Sequence, residues 1–536
     1  LKGAIGGSPS SAESAIRQCL QKASQGGKLQ LNTKFGKRTM KPHPFEKAHQ
    51  LLKKGEFPAA VEEARRVHRL FSGPSADSAL AGILVDVANF TRNLKLAREG
   101  KALMERLPQK LIDAYPADYH YNLGNAFSSI GYHQKSRGAA RRPAIAEAVS
   151  HYDQALQFVD RPNTRANLAN SLLAQGRYIE ALDELDSLLA SQPRHYNAFG
   201  YRGASFLGID IWLNHTHGGM RQAALHSYRR AVELAKYDPV VARHFAPYVH
   251  DLESRVSPLS NLKQKPMRSD VQWIWSNRLA LNPCPICMVD SPDAFDLFPL
   301  PGVLTAPRRR PPTKDLFVVL NAILGTFGTA RWQLWSAESP ESVLPLDHII
   351  QHSGSGGTLV DLRIGLKMSA FSGFYRVLGQ IASALNNCLA LKHPPEKVTF
   401  NNVWGKPRVR EFARTVGELN SGVRRRNSDP LSALYYLAAS LERGLGRYQH
   451  LRILRNHIEH RLAAPFPKTT KSRTPYYEPF AVADLSRDVY VIGRLARAAI
   501  WYLCAVFSVE ERRRVQVARR EGHVIGGGTR TPVTRR

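Results

Sequence analysis

A helical hairpin recurs along the first half of this chain, and its register constrains the fold more than any other feature. The clearest copy runs from Asn167 to Pro193. Leu168 and Ala169 sit where a first helix needs small and apolar residues, and Gly176 makes a turn with Tyr178 after it. Ala181, Leu185 and Leu188 line a second helix that Pro193 ends. Adding 34 residues to Leu168 reaches position 202, and Gly203 and Phe206 follow directly. Ala224, Tyr228 and Ala231 then build the second helix of that copy, and Pro239 closes it. An earlier copy holds Leu123, Gly124, Phe127 and Gly131, then Ala148, Tyr152 and Ala155, with a basic insertion from about His133 to Arg142. A fainter one reads Ala48, Leu51, Gly55, Phe57, Ala60 and Ala64, and residues Ser78 to Leu107 fit a further helix pair. Small residues at helix crossings matter because a bulky side chain there forces paired helices apart.

This pattern resembles the tetratricopeptide (TPR) repeat, a 34-residue helix pair. The resemblance implies a helical-hairpin solenoid over residues 44–253, with a concave face that takes a protein or peptide partner. Residues 1–43, rich in Gly, Ser and Lys, read as a poorly ordered tail. Residues 254–312 read as a Pro- and Arg-rich connector. Residues 313–509 return to helical periodicity, and 510–536 read as a basic disordered tail. In the second helical region the spacing predicts helices over Lys314–Leu324, Phe371–Leu391, Lys406–Asn420, Ser432–Gly444, Tyr448–Leu462 and Val482–Phe507. Leu359–Leu366 fits a short strand or a helix start. The fold class expected is therefore all-α.

In the Tyr448–Leu462 segment, Leu451, Leu454, Ile458 and Leu462 recur three and four residues apart, which makes one apolar stripe on a helix. Asn456, His457 and His460 fall on another side. The run Arg455-Asn456-His457-Ile458-Glu459-His460 is similar to the Arg-polar-x-x-x-His motif of the HEPN superfamily of helical ribonucleases. That resemblance implies a HEPN-like bundle over 313–509 and a catalytic set of Arg455, Asn456 and His460, with His457 and Arg461 as secondary candidates. The residue types suit metal-independent RNA cleavage. Neutral His accepts the 2′-hydroxyl proton, imidazolium protonates the leaving 5′-oxygen, and Arg carries charge to the phosphorane-like transition state. Arg443 to His450 fits the looser six-residue form of the spacing. On a straight helix Arg455 and His460 lie about 140° apart. Family precedent therefore implies a homodimer through the C-terminal domain, with two motifs facing one cleft.

Charge points the same way. With 75 Lys and Arg against 44 Asp and Glu, the net charge of +31 favours a polyanion, and RNA is the expected partner. Basic clusters at Arg308–Arg310 and Arg512–Arg514 account for part of the excess. Five scattered cysteines do not make a disulfide framework, which fits a reducing compartment. Cys284-Pro-Ile-Cys287 lacks a second ligand pair for zinc and the strand-helix setting of a redox site, and reads as ordinary cysteines. The apolar runs Leu316–Leu324 and Ala498–Val509 fall short of a bilayer span of about 20 residues, so a cytoplasmic protein without a membrane segment is expected. Leu1 in place of Met leaves the natural start open. No P-loop, His-Glu-x-x-His or Gly-x-Ser-x-Gly occurs, and Gly354, Gly356 and Gly357 lack a phosphate-loop Lys; no cofactor or metal is expected. The leading expectation is a metal-independent endoribonuclease of the toxin or defence-effector kind. The alternative is a non-catalytic TPR scaffold with an RNA-binding or dimerising helical domain.

Overall fold

The computed structural model describes residues 43–520 except 134–142, 214–217, 237, 257–265, 297–312, 340–361, 407–417, 422, 424–427, 443–445, 461–462 and 467–477. It is all-α apart from one two-stranded parallel ribbon. The chain forms two compact units, one ending at Asp113 and the other starting at Ala114.

The first unit holds α1 (Glu46–Lys54), α2 (Phe57–Leu70), α3 (Pro74–Thr91) and α4 (Leu94–Glu105), with the short α5 (Gln109–Ala114) at the boundary. Gly55, at φ 79°, ends α1, and Pro58 opens α2. The faint upstream copy is thus a helical hairpin, with Ala48, Ala60 and Ala64 fully buried along it. Asn93 caps α4 by accepting hydrogen bonds from the Lys95 and Leu96 amides. An Arg65–Glu99 ion pair ties α2 to α4 at 2.7 Å.

The second unit opens with α6 (Pro116–His133), α7 (Pro143–Phe158), α8 (Pro162–Ala174), α9 (Tyr178–Ser191), α10 (Tyr196–Trp212), α11 (Gly218–Leu234) and α12 (Pro239–Glu253). Each packs on the next. The residues that carried the repeat pattern occupy the crossings. A Cβ on Gly124 would stand 2.7 Å from the Tyr152 ring, and one on Gly203 would stand 3.0 Å from the Tyr228 ring. Gly176 sits at φ 77° in the α8–α9 turn, where an L side chain is strained.

The segment expected to be a connector is partly core instead. It contributes α13 (Ser269–Ser276) and α14 (Pro285–Asp290), and its apolar stretch Leu279, Ala280 and Leu281 is buried. The Trp501 indole donates to the Leu281 carbonyl at 2.6 Å, which fixes that stretch in place. Cys284 is buried at the start of α14. A side-chain hydrogen bond shared with Cys287, with burial adding to it, pushes its thiol pKa up. Among the described residues no cluster of three or more metal-type ligands forms there or elsewhere.

Next come α15 (Thr313–Glu338), α16 (Leu362–Cys388), α17 (Asp429–Leu441), α18 (Gln449–His460), β1 (Ala463–Phe466), β2 (Glu478–Ala481) and α19 (Val482–Arg520). Several helices outrun their sequence limits. α15 continues to Glu338, and residues 362–366 belong to a helix rather than a strand. The helix expected over Lys406–Asn420 lies largely outside the described residues. Its described end is not helical: Leu419 forms an antiparallel bridge with Gly405. The tail expected from 510 is helical to Arg520, since no Gly or Pro interrupts the run and Glu510 pairs with Arg513 and Arg514 one turn on. Residues 1–42 and 521–536 lie outside the described set. The span Val482–Val517 is long and apolar enough to cross a membrane by composition alone, yet its apolar part is mostly buried against protein. It packs on α9, α10, α15, α16 and α17.

Charges join the repeat helices to the C-terminal ones. Arg447, just before α18, reaches Asp153 of α7 at 3.1 Å and Glu184 of α9 at 2.6 Å. Arg165 holds the other Glu184 oxygen at 2.6 Å. Arg177 and Glu180 form a buried pair, and the Tyr502 hydroxyl donates to Glu180 at 3.2 Å. Arg497 of α19 meets Asp183 at 3.2 Å. Burial works against ionisation of Glu184, but Arg447 and Arg165 outweigh it and hold its pKa down at about 2. Burial raises Asp153 to about 7, opposed by Arg447 and reinforced by Glu184.

Arg447→Ala leaves two carboxylates in low dielectric without their shared cation. It should cost roughly 3 kcal/mol of unfolding free energy, the low end for a broken buried pair because Arg447 keeps some solvent contact; denaturant titration measures this. Asp153 has a folded pKa above its unfolded value, so its contribution is present below about pH 4 and lost as pH rises through about 7. Asp153→Asn should therefore flatten the fall in thermal midpoint between those limits.

Candidate active site

α18 forms because its apolar stripe meets a ready surface. Leu451 and Leu454 are buried and Ile458 is half-buried, against α16 and α17. Leu462, the last member of the expected stripe, lies outside the described residues. The helix is fixed at its start: the Tyr448 amide donates to the Ser440 carbonyl at 2.8 Å, and Arg447 lies over the Tyr448 ring. One turn on, Arg452 pairs with Glu442 at the end of α17, 2.5 Å away.

Arg455 projects from the half-buried side of this helix. Its guanidinium carbon sits 5.5 Å from the centre of the Tyr375 ring, which α16 supplies from below. Its Nη1 donates to Asn456 Oδ1 at 3.2 Å, and its Nε lies 2.5 Å from Glu459 Oε2, one turn along. Both members of that ion pair keep solvent contact, with about a third of the Arg455 side chain exposed. Burial pushes the Tyr375 hydroxyl pKa up, partly offset by Arg455 and Arg452. Tyr375 thus presents a neutral phenol ring to the cation.

Of the five candidates, the structure brings Arg455 and Asn456 together. Asn456 is exposed and His457 half-buried on α18. His460 is the last residue of that helix, and its side chain lies outside the described set. Arg461 lies outside it entirely, as does Arg443, which opened the looser alternative motif. The His of that alternative, His450, instead lies 3.5 Å from the buried Asp488 of α19. Asp488 has its pKa lowered: burial raises it, but hydrogen bonds with His450 and Arg487 prevail. Tyr375 and Glu459 were not singled out by sequence reasoning. Glu459 was visible as the residue one helical turn from Arg455. Nothing local connects Tyr375 to a motif some 80 residues later, since only the packing of α18 on α16 joins them.

Residues 308–511 match the family model described as LA2681-like HEPN. The matched span opens just before α15 and closes within α19, so the C-terminal helices form a HEPN domain. The upstream hairpins have a helical-repeat architecture, but no tetratricopeptide family model matches them. No curated protein matches the chain.

A double-mutant cycle of Arg455→Ala and Tyr375→Leu, followed by urea denaturation, should give a coupling of about 0.5–1 kcal/mol, the value of a partly exposed cation on a ring. Strict additivity would mean that the ring does not hold the guanidinium.

Proposed function

We propose that this chain is a metal-independent endoribonuclease. The observation that carries the reading is Arg455, with Asn456 hydrogen-bonded beside it, on a helix of a HEPN domain. The reaction uses the RNA's own 2′-hydroxyl. Its oxygen bonds to phosphorus as its proton passes to a neutral His460. The bond to the 5′-oxygen breaks, and that oxygen takes a proton from a second, protonated His460. The products are a 2′,3′-cyclic phosphate and a 5′-hydroxyl end. Arg455 stabilises charge on the non-bridging oxygens, Asn456 orients the phosphate, and His457 and Arg461 are secondary contributors.

The angular separation of Arg455 and His460 supports a homodimer through the HEPN domain, with each copy offering its motif to a common cleft. The net charge of +31 supports RNA as the polyanion. The helical hairpins fit a TPR-like array whose concave face takes a protein or peptide, in a cytoplasmic toxin or defence effector. The second reading is a non-catalytic scaffold that binds RNA or dimerises. One observation favours it: Arg455 already has an internal counter-ion in Glu459.

Cleavage of a mixed RNA pool in EDTA tests the choice. The wild type should cut and leave cyclic phosphate ends, while His460→Ala and Arg455→Ala should each lose at least about 100-fold in rate, the usual scale for a general acid–base group. No cleavage by a folded wild-type dimer would favour the scaffold, and equal cleavage by all three would place the chemistry elsewhere.

A further inference from the structure

The surroundings of Arg455 are closed in an unusual way. Its face rests on Tyr375, one terminal nitrogen donates to Asn456, and its Nε edge is covered by the Glu459 carboxylate. A phosphate binds guanidinium best through a pair of parallel N–H donors. Here a carboxylate already holds the Nε side of that fork. The Nε contact is electrostatic rather than directed, because Nε makes no aligned hydrogen bond despite its 2.5 Å distance from Glu459. The occupant is therefore close, charged and poorly aligned. It also stays partly solvated, with about a quarter of the Glu459 side chain exposed, so leaving the cation does not strand it in the interior.

We propose that Glu459 is a built-in competitor for the anion position on Arg455, so that an RNA phosphate gains the guanidinium only by exchanging with this carboxylate. The inference rests on the ribonuclease reading for the identity of the incoming anion, and it concerns binding rather than bond cleavage. Glu459 is a regulatory neighbour of the motif and takes no proton in the reaction. A partly exposed ion pair one helical turn apart is weak, so the exchange sets a threshold for entry and does not block the site. A short, weakly held RNA loses more by it than a long one anchored at many phosphates.

The experiment measures affinity of the full chain for a short single-stranded RNA with 2′-O-methyl groups throughout, which cannot be cut, by fluorescence anisotropy over a salt series. Glu459→Gln keeps the size of the side chain and removes its charge. It should tighten binding about two- to fivefold at low salt, as expected for release of one partly exposed pair, with the gain shrinking as salt rises. The same change in an Arg455→Ala background should give no gain. A general effect of one less negative charge would persist in that background, and would overturn the proposal. So would weaker or equal binding by Glu459→Gln alone, which would make Glu459 a support that aims Arg455. Failure of every variant to bind, with helicity intact by circular dichroism, would overturn it as well. Retained binding and a Glu459→Gln gain without cleavage of ordinary RNA would refute the enzyme alone and leave the exchange standing.

Discussion

A guanidinium taken largely out of water must find carboxylates, and Arg447 finds two on separate helices. Asp153 stands on α7 and Glu184 on α9; Arg447 is the cation they share, and Arg165 holds the second Glu184 oxygen. Desolvation makes each of these charges expensive alone, so removing one member of the cluster destabilises the rest. Two residues beyond Arg447 the chain enters α18, which carries Arg455. The start of the candidate catalytic helix is therefore set by the repeat helices as much as by its own domain. The Arg497–Asp183 pair and the Tyr502 bond to Glu180 repeat the arrangement from α19. Repeats and HEPN helices share one hydrophobic core, in which Phe206 and Trp212 belong with Phe374 and Trp501.

What could be read from the sequence follows from the range of each interaction. Helix hairpins are local: the glycine turn at Gly176 and the small residues Ala169 and Gly203 announce themselves within one repeat. The apolar stripe of α18 is local too. The packed state of Leu279–Leu281 was hidden because a short apolar run in a Pro-rich stretch has no period of its own, and only Trp501, far along the chain, gives it a partner. The continuation of α19 past Val509 was hidden because a run of arginines looks like a solvated tail until Glu510 supplies the pairing that lets it stay helical. The site shows the same division. Arg455 and Asn456 are candidates picked out by the motif, whereas the ring beneath Arg455 comes from a helix with no sequence relation to α18.

The charges around α18 also explain why so basic a chain need not present a uniformly open basic face. Arg447, Arg452 and Arg455 each have a carboxylate within ion-pair distance. Internal pairing spends part of the positive charge on architecture. How much positive charge this region presents depends on how readily each pair opens, and Arg455, paired with one partly solvated carboxylate, is more loosely held than Arg447, which meets two.

The placement of α19 has a consequence for how the molecule is made. It is the last described helix to leave the ribosome, yet it fills the space that α9, α10, α15, α16 and α17 all face. Until it arrives, Trp212 lacks Tyr502 at its edge, Leu281 lacks Trp501, and Glu180 lacks the Tyr502 hydroxyl. Once α17 has been made, the nascent chain holds an apolar trough open until α19 emerges, a state that invites chaperones or aggregation.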